Sequence, residues 1–486
     1  MDQPTTQRRL LLAGGVAALL LGACASREQD ATAVLREADR AMGGTQLKTL
    51  RFDGSGTGGI FGQAFRPGTA WPRLNYQAFA RVLDYENGAM REEFVRSRAE
   101  PNGGGADPLM GTGVARTTGL LRGGYAWNMA GPNAAPSPAA VSGRTHDLWT
   151  SPHGVIKAAL KNGATIRSEG GRSIVSFAEP GRFRAEAWLS ADGMVERVDS
   201  VQPNPVMGDL RTETFYSDYR DFGGVKFPMS IRQRQGGFPV LDLEVKEVKI
   251  NLPSGIEVPA PVQAFAERVA VERAAEGVWF LAGGSHNSVA IEMKDHLILV
   301  ESPLYDGRAQ AVLAEAKKLA PGKPVRYVIN SHHHFDHSGG LRAAAAEGAT
   351  LVTSELARRW FEQVLANPNS IAPDALAKSG RRVELIGVGG RQTFSDGSRN
   401  VEVMMIEDSV HAQGFMMVWL PRERLLIEAD AYTPPAPNTP PPAQPNANNL
   451  TLVRNVESLK LDVDRILPLH GRIAPMSQLY ADIGRR

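Results

Sequence analysis

The chain has 486 residues, with 54 Lys plus Arg against 52 Asp plus Glu and a formal net charge of +2. That length excludes one small module, and the even charge leaves no basic excess for phosphate backbones, so no nucleic-acid partner is expected. A hydrophobic fraction of 42% is enough for real cores, 50 Gly and 32 Pro predict long loops, and the single Cys excludes a disulfide framework or a Cys-rich zinc module.

The first 23 residues read as an export signal. Arg8-Arg9 precede an apolar run from Leu10 to Leu21, about 12 residues against the roughly 20 that a spanning helix needs. Leu21-Gly22-Ala23-Cys24 resembles the bacterial lipobox, which implies cleavage before Cys24 and acylation of its thiol; a plain signal with an incidental cysteine is the alternative. Thr6 to Leu11 is similar to a twin-arginine signal, so Sec and Tat export both stay open. The expected location is the periplasmic side of a bacterial membrane, held by lipid at Cys24. Ala25 in place of Asp favours the outer membrane.

Residues 24–260 are expected to form a β-rich accessory domain. Val34, Leu35, Ala38 and Met42 fall at helical spacing before Gly43-Gly44, which predicts one opening helix. Strand character follows at Phe183–Leu189, Glu213–Tyr219, Val225–Arg232 and Leu241–Ile250, with a phase slip near Lys246 that reads as a bulge. Pro101–Gly113 and Gly131–Gly143 read as surface loops. His146 and His153 stand apart and read as surface or hydrogen-bonded residues. Tyr219 to Pro228 resembles a strand of lipoprotein-carrier half-barrels, which implies an antiparallel sheet with a concave apolar face.

Pro253, Pro259 and Pro261 break the strand pattern, so the linker is placed there and a second domain at 261–486. Strands and helices then alternate: strands at Gly277–Leu281, Ser288–Met293 and His296–Val300, a helix at Arg308–Leu319, and a strand at Val325–Asn330 that feeds a helix from Gly340. The fold class is α+β in two domains.

After the strand Val325–Asn330 comes Ser331-His332-His333-His334-Phe335-Asp336-His337-Ser338-Gly339-Gly340, with four of the ten histidines in six residues. Imidazoles and a carboxylate on a turn suit a borderline divalent ion, and with no cysteine to close a structural site a catalytic metal is favoured. His332-x-His334-x-Asp336-His337, with His411, Asp430 and His470 downstream in order, strongly resembles the metallo-β-lactamase superfamily, a resemblance covering about 270–486. It implies an αβ/βα sandwich in which His332, His334 and His411 hold one zinc, Asp336, His337 and His470 a second, and Asp430 bridges. A hydroxide shared by the two ions would attack an ester, thioester, lactone or amide carbonyl, with Asp336 handling protons. Asp430 at the bridge is similar to the glyoxalase II and lactonase branches, which disfavours antibiotic hydrolysis.

Glu301 is expected to orient a ligand, in the place where the family often has Asp. His333 reads as a residue behind the ligands or facing solvent, His286 as a pocket, supporting or surface residue, and Tyr432 as a substrate contact. Pro434 to Pro445, with seven prolines in twelve residues, reads as an exposed arm over the site or against the first domain. The alternatives are a mononuclear iron enzyme similar to persulfide dioxygenases, a phosphodiesterase, and a lipid-binding lipoprotein whose metal domain is inert. The expected partner is a small substrate, a hydrophobic one if the first domain binds acyl chains.

Overall fold

The computed structural model describes residues 31–100, 113–437 and 439–485. The export signal, Cys24 and most of Pro101–Gly113 lie outside these residues. Among the described residues no helix is long and apolar enough to cross a membrane.

The opening helix covers 31–41 and buries Leu35 and Ala38, and Met42 in the turn just after it completes the stripe its spacing predicts. Gly43 ends it at φ 71°, and a Cβ there would strike the Gly224 carbonyl, so both backbone conformation and space require glycine.

Thirteen antiparallel strands then form one sheet. From one edge, Asn133–Pro136, six strands run in hairpin order back to Thr49–Gly59, which pairs with the last strand, Phe238–Ile250. Seven strands continue from there to the other edge, Thr165–Glu169. Alternation sets the faces: Phe183, Ala185, Ala187 and Leu189 point into the core while Arg184 faces solvent. Asp53 pairs with Glu247 but Gly54 with Val245, so Lys246 is the extra residue of a bulge, at the phase slip seen in the sequence.

The helix Ala140–Trp149 touches Ala89–Arg98, Ala115–Arg122 and Tyr125–Ala130 on one wing of the sheet and Val195–Asn204 on the other. The sheet therefore curls around its helices without closing. Gly131–Gly143 is not a plain loop: it holds the edge strand Asn133–Pro136 and the start of the helix Ala140–Trp149. Pro136 and Pro138 hide the strand end, and the helix buries just Thr145, His146 and Leu148, too polar a stripe to read as a period. The concave face is filled by Leu35, Met42, Leu148, Val155, Ile156, Phe52 and Phe227. The gap among Phe52, Leu83, Tyr216 and Phe227 is about 20 Å³, room for about one water and none for an acyl chain.

His146 and His153 are both buried. His146 Nε2 lies 2.7 Å from Ser200 Oγ, and His153 Nε2 lies 3.1 Å from the Lys226 carbonyl. Burial, with Lys157 nearby, pushes His153 down to about 3. Its folded value is thus depressed, so this contribution to stability is intact above the unfolded value of about 6.5 and is lost as pH falls toward 3. The expected slope approaches about 1.4 kcal/mol per pH unit for this one group. Thermal melts between pH 7.5 and 4 should show His153→Gln flattening part of the acid loss; an unchanged slope would refute the assignment.

The C-terminal region is a four-layer αβ/βα sandwich. A seven-stranded sheet runs from Ala270–Ala275 to Leu385–Val388, antiparallel in its first half and parallel from Leu297–Val300 onward. A six-stranded sheet runs from Arg391–Ser395 to Ala474–Pro475. Ile291, Ile298, Val300, Val403, Val418 and Ile427 pack between the sheets. Asp306–Leu319, Leu341–Ala346 and Glu355–Ala366 cover the outer face of the first sheet. The helices Ala447–Ser458 and Met476–Asp482 pack Leu452, Val453 and Leu479 against the second.

Candidate metal centre

The chemistry-bearing residues lie on turns at one rim of the two sheets. His332 to His337 follow the strand Val325–Ile329, Asp430 follows Leu425–Glu428, and His470 follows Arg465–Pro468. His411 precedes the strand Met416–Leu420, and His286 sits between Val278–Ala282 and Ser288–Glu292. A strand sends alternate side chains to opposite faces, whereas turns at strand ends let them converge.

Two groups result: His332, His334, His411 and Asp430, and His286, His337 and His470, each with ligand atoms within 4.8 Å of one another. Asp430 joins them. Its Oδ2 lies 3.2 Å from His332 Nε2, 2.9 Å from His337 Nε2 and 3.1 Å from His411 Nε2, and its Oδ1 lies 2.9 Å from His470 Nε2.

The outer nitrogens fix the tautomers. His334 Nε2 donates to the Ala64 carbonyl at 3.1 Å, His470 Nδ1 to the Ser285 carbonyl at 2.9 Å, and His337 Nδ1 to Glu301 Oε2 at 3.0 Å. Ser331 Oγ donates to Glu301 at 2.5 Å and accepts from His332 Nδ1 at 3.0 Å. Each ring therefore turns an unprotonated nitrogen inward. His332 Nε2 and His334 Nδ1 face each other at 2.9 Å, and His337 Nε2 and His470 Nε2 at 3.2 Å. Facing lone pairs at such distances repel unless a cation lies between them, so the residues fit divalent metal.

The electrostatics agree. Burial, reinforced by neighbouring imidazoles, holds His332 and His334 well below the usual histidine range, as neutral ligands. Burial works the same way on His337, but the Asp430 and Asp336 carboxylates outweigh it and hold that ring well above the usual range. The site thus calls for positive charge at that point. Burial opposes ionisation of Asp430 and Asp336, yet His337 and its neighbours keep both well below the usual carboxylate range.

Glu301 is fully buried at φ 70°, a strained conformation for a residue with a Cβ. It is the hub behind the ligands, since it also accepts from Asn330 Nδ2 at 2.8 Å. His333 is buried, not solvent-facing, and donates to Ala64 O at 2.7 Å. Tyr432 is not at the site: its ring is in the core and its hydroxyl donates to Asp482 at 2.6 Å. The proline arm is mostly exposed, with Pro434 against Gly471 and the Pro435 carbonyl 3.4 Å from Arg472, beside His470.

Sequence reasoning missed two supports. Glu428, closing an apolar strand, accepts from Ala431 N and Tyr432 N at 3.0 Å and so shapes the turn that presents Asp430; burial keeps its carboxyl well above the usual carboxylate range. A charged residue in a buried run was the signal for it. The other support is the first domain, whose loop 60–65 reaches into the centre. Gln63 Nε2 donates to Asp336 Oδ1 at 2.8 Å, Gly62 O accepts from Phe335 N at 3.1 Å, and Phe65 O accepts from Gln413 N at 2.8 Å. Phe61, Trp71 and Phe335 form an aromatic clasp with centroids 4.9 to 5.7 Å apart. A Cβ on Gly62, at φ 82°, would lie 2.7 Å from the Phe335 ring. Nothing in residues 60–65 marks this role, because their partners lie far along the chain, 273 positions away for Gln63 and Asp336. Gln63→Ala should lower metal affinity about 10- to 100-fold, the usual cost of losing a group that orients a ligand; chelator competition would show it, and wild-type affinity would refute the role.

Fold and site together define a metal-binding αβ/βα domain fused to a β-rich domain. Residues 281–470, which carry this histidine–aspartate cluster, match the family model of the metallo-beta-lactamase superfamily. The chain is similar to the 2,4-dinitroanisole O-demethylase subunit alpha of Nocardioides sp. (strain JS1661), 26% identical over 189 residues. That match takes in 38% of this chain and spans about half, 53%, of the relative. Among solved structures, a metallo-beta-lactamase from Pontibacter korlensis aligns at 18% identity and TM-score 0.35, over 45% of this chain and 98% of its own. The FIM-1 metallo-beta-lactamase of Pseudomonas aeruginosa aligns at 19% identity and TM-score 0.34, over 44% and 93%.

Proposed function

We propose that this protein is a metal-dependent hydrolase acting on an ester, thioester, lactone or amide carbonyl through a two-zinc centre. The observation that carries the reading is Asp430, whose two oxygens face both groups of inward nitrogens. Two divalent ions bound there would polarise a carbonyl and bring the pKa of water toward neutrality, a nucleophile that needs no serine or cysteine side chain.

The chain's own residues do the rest. His332, His334 and His411 on one side and His337 and His470 on the other would hold the ions, with the outer nitrogens of His332, His334, His337 and His470 locked by Ser331, Ala64, Glu301 and Ser285. The Asp336 side chain is 36% exposed and His470 18%, against 0–1% for His332, His337 and His411, so substrate approaches from the Asp336 and His470 side. Asp336, with Oδ1 held by Gln63, turns Oδ2 toward the second group of histidines, where it would help to hold the second ion. The export signal and Cys24 add an expected lipid anchor on the periplasmic side of a membrane; Cys24→Ser should release the protein to the soluble fraction.

A second reading is favoured by the named chemistry of the O-demethylase relative. It puts a methyl–oxygen bond among the candidate targets; iron is the metal of the separate alternative, a mononuclear iron enzyme. Elemental analysis of protein purified without chelators, with an ester, thioester and lactone panel, tests both. About two zincs per chain with hydrolysis supports the first reading, one iron with oxygen consumption supports the second, and no metal after reconstitution overturns both.

A further inference from the structure

The second group of histidines holds one residue more than the family's ligand pattern assigns. His286 is 6% exposed, and its turn is stitched to the turn that carries His470. Asn287 N donates to Leu469 O at 2.8 Å, and Asn287 Nδ2 donates to Pro468 O at 3.2 Å and Gly471 O at 2.9 Å. His470 Nδ1 returns a bond to the Ser285 carbonyl at 2.9 Å, and buried Arg308 donates to the His286 carbonyl at 3.4 Å. The two turns are therefore held together by one backbone bond and by the Asn287, His470 and Arg308 side chains closing on backbone carbonyls.

The ring is equally constrained. His286 Nδ1 lies 2.8 Å from Ser285 Oγ, which leaves Nε2 facing inward, 3.3 Å from Asp336 Oδ2. Its centroid is 4.2 Å from that of His470 and 4.8 Å from that of His337. Asp336 Oδ1 is taken by Gln63, so Oδ2 is the oxygen free to bind a cation, and His286 Nε2 points at the same place.

We infer that His286 Nε2 is a ligand of the second metal position, so that His286, His337 and His470 hold that ion together with Asp336 and the shared Asp430. This rests on the reading of the cluster as a two-metal centre. Three imidazoles make the position nitrogen-rich, which selects zinc, cobalt or iron over magnesium, calcium or manganese. It also leaves that ion fewer places for solvent or substrate, so the first position becomes the one with more room for a substrate oxygen.

The test uses full-length protein reconstituted with Co²⁺, as wild type, His286→Gln and His286→Gly. Gln keeps a donor toward Asp336 but has no imidazole, so it separates ligation from simple hydrogen bonding. The expected result is two Co²⁺ per wild-type chain and, in both variants, a second ion weakened on the order of 100-fold or more. The d–d bands should change with it, and added imidazole should restore the second ion to the Gly variant. If His286→Gln binds both ions with wild-type affinity and spectrum, the inference is overturned and the two-metal reading stands. If wild type binds no second ion, that reading fails and the inference with it. Far-UV circular dichroism of the metal-free variants identifies a folding defect, and the Gln variant then decides.

Discussion

On the proposed reading of a two-metal hydrolase, Asp430→Ala is expected to cut bound metal from two ions per chain to one or none and to lower kcat/KM by about 10²- to 10⁴-fold. The reason is position. One carboxylate lies within 3.2 Å of His332, His337, His411 and His470, so its loss removes the charge that both halves share. Removing one partner of a buried charged set typically costs about 3–5 kcal/mol, and each 1.4 kcal/mol is tenfold. Asp430→Asn keeps the shape without the charge and should fall between, holding the first ion better than the second. Elemental analysis with steady-state kinetics on the same preparations checks this. A variant with two ions and activity within about threefold of wild type would show that Asp430 does not join the two positions.

The contrast between what was legible in the chain and what was not follows from sequence distance. His332 to His337 announce themselves because one turn brings a cluster of ligand types together, and His411, Asp430 and His470 follow from the resemblance, which places further ligands in that order on turns next to strands. The bulge at Lys246 was readable because a bulge shifts the phase of a period-two pattern, visible in a single strand. Tyr432 looked like a pocket residue because it stands two positions from Asp430. Its backbone is captured by Glu428, however, and its ring is turned into the core toward Asp482. The contribution of Gln63 and Ala64 was invisible for the opposite reason. Their loop carries no period and no charge, and its meaning exists only once a sheet of 13 strands has brought it against a turn of another domain. Such contacts are fixed by global topology, which local patterning does not encode.

That same dependence on support makes Glu301 the other position of large effect. Its carboxylate accepts from Asn330 Nδ2, Ser331 N, Ser331 Oγ and His337 Nδ1, all without solvent. Glu301→Ala leaves those donors buried and unpaired, and the expected loss is about 3–5 kcal/mol of stability. Glu301→Gln preserves the volume but offers an amide N–H where His337 Nδ1 must donate, so the ring is driven to the other tautomer and its inward nitrogen gains a proton. This variant should stay folded and yet bind metal at the His337 side about 10- to 100-fold more weakly. The backbone adds a separate effect: at φ 70° a Cβ costs about 1–2 kcal/mol that glycine avoids. Glu301→Gly should therefore melt above Glu301→Ala although it has no more side-chain contacts. Metal-free melts and chelator competition read the two effects independently. If Glu301→Ala melts within about 2 °C of wild type and keeps both ions, the hub is not what holds the histidines in place. If Gly and Ala melt together, the strain at 301 carries no free energy.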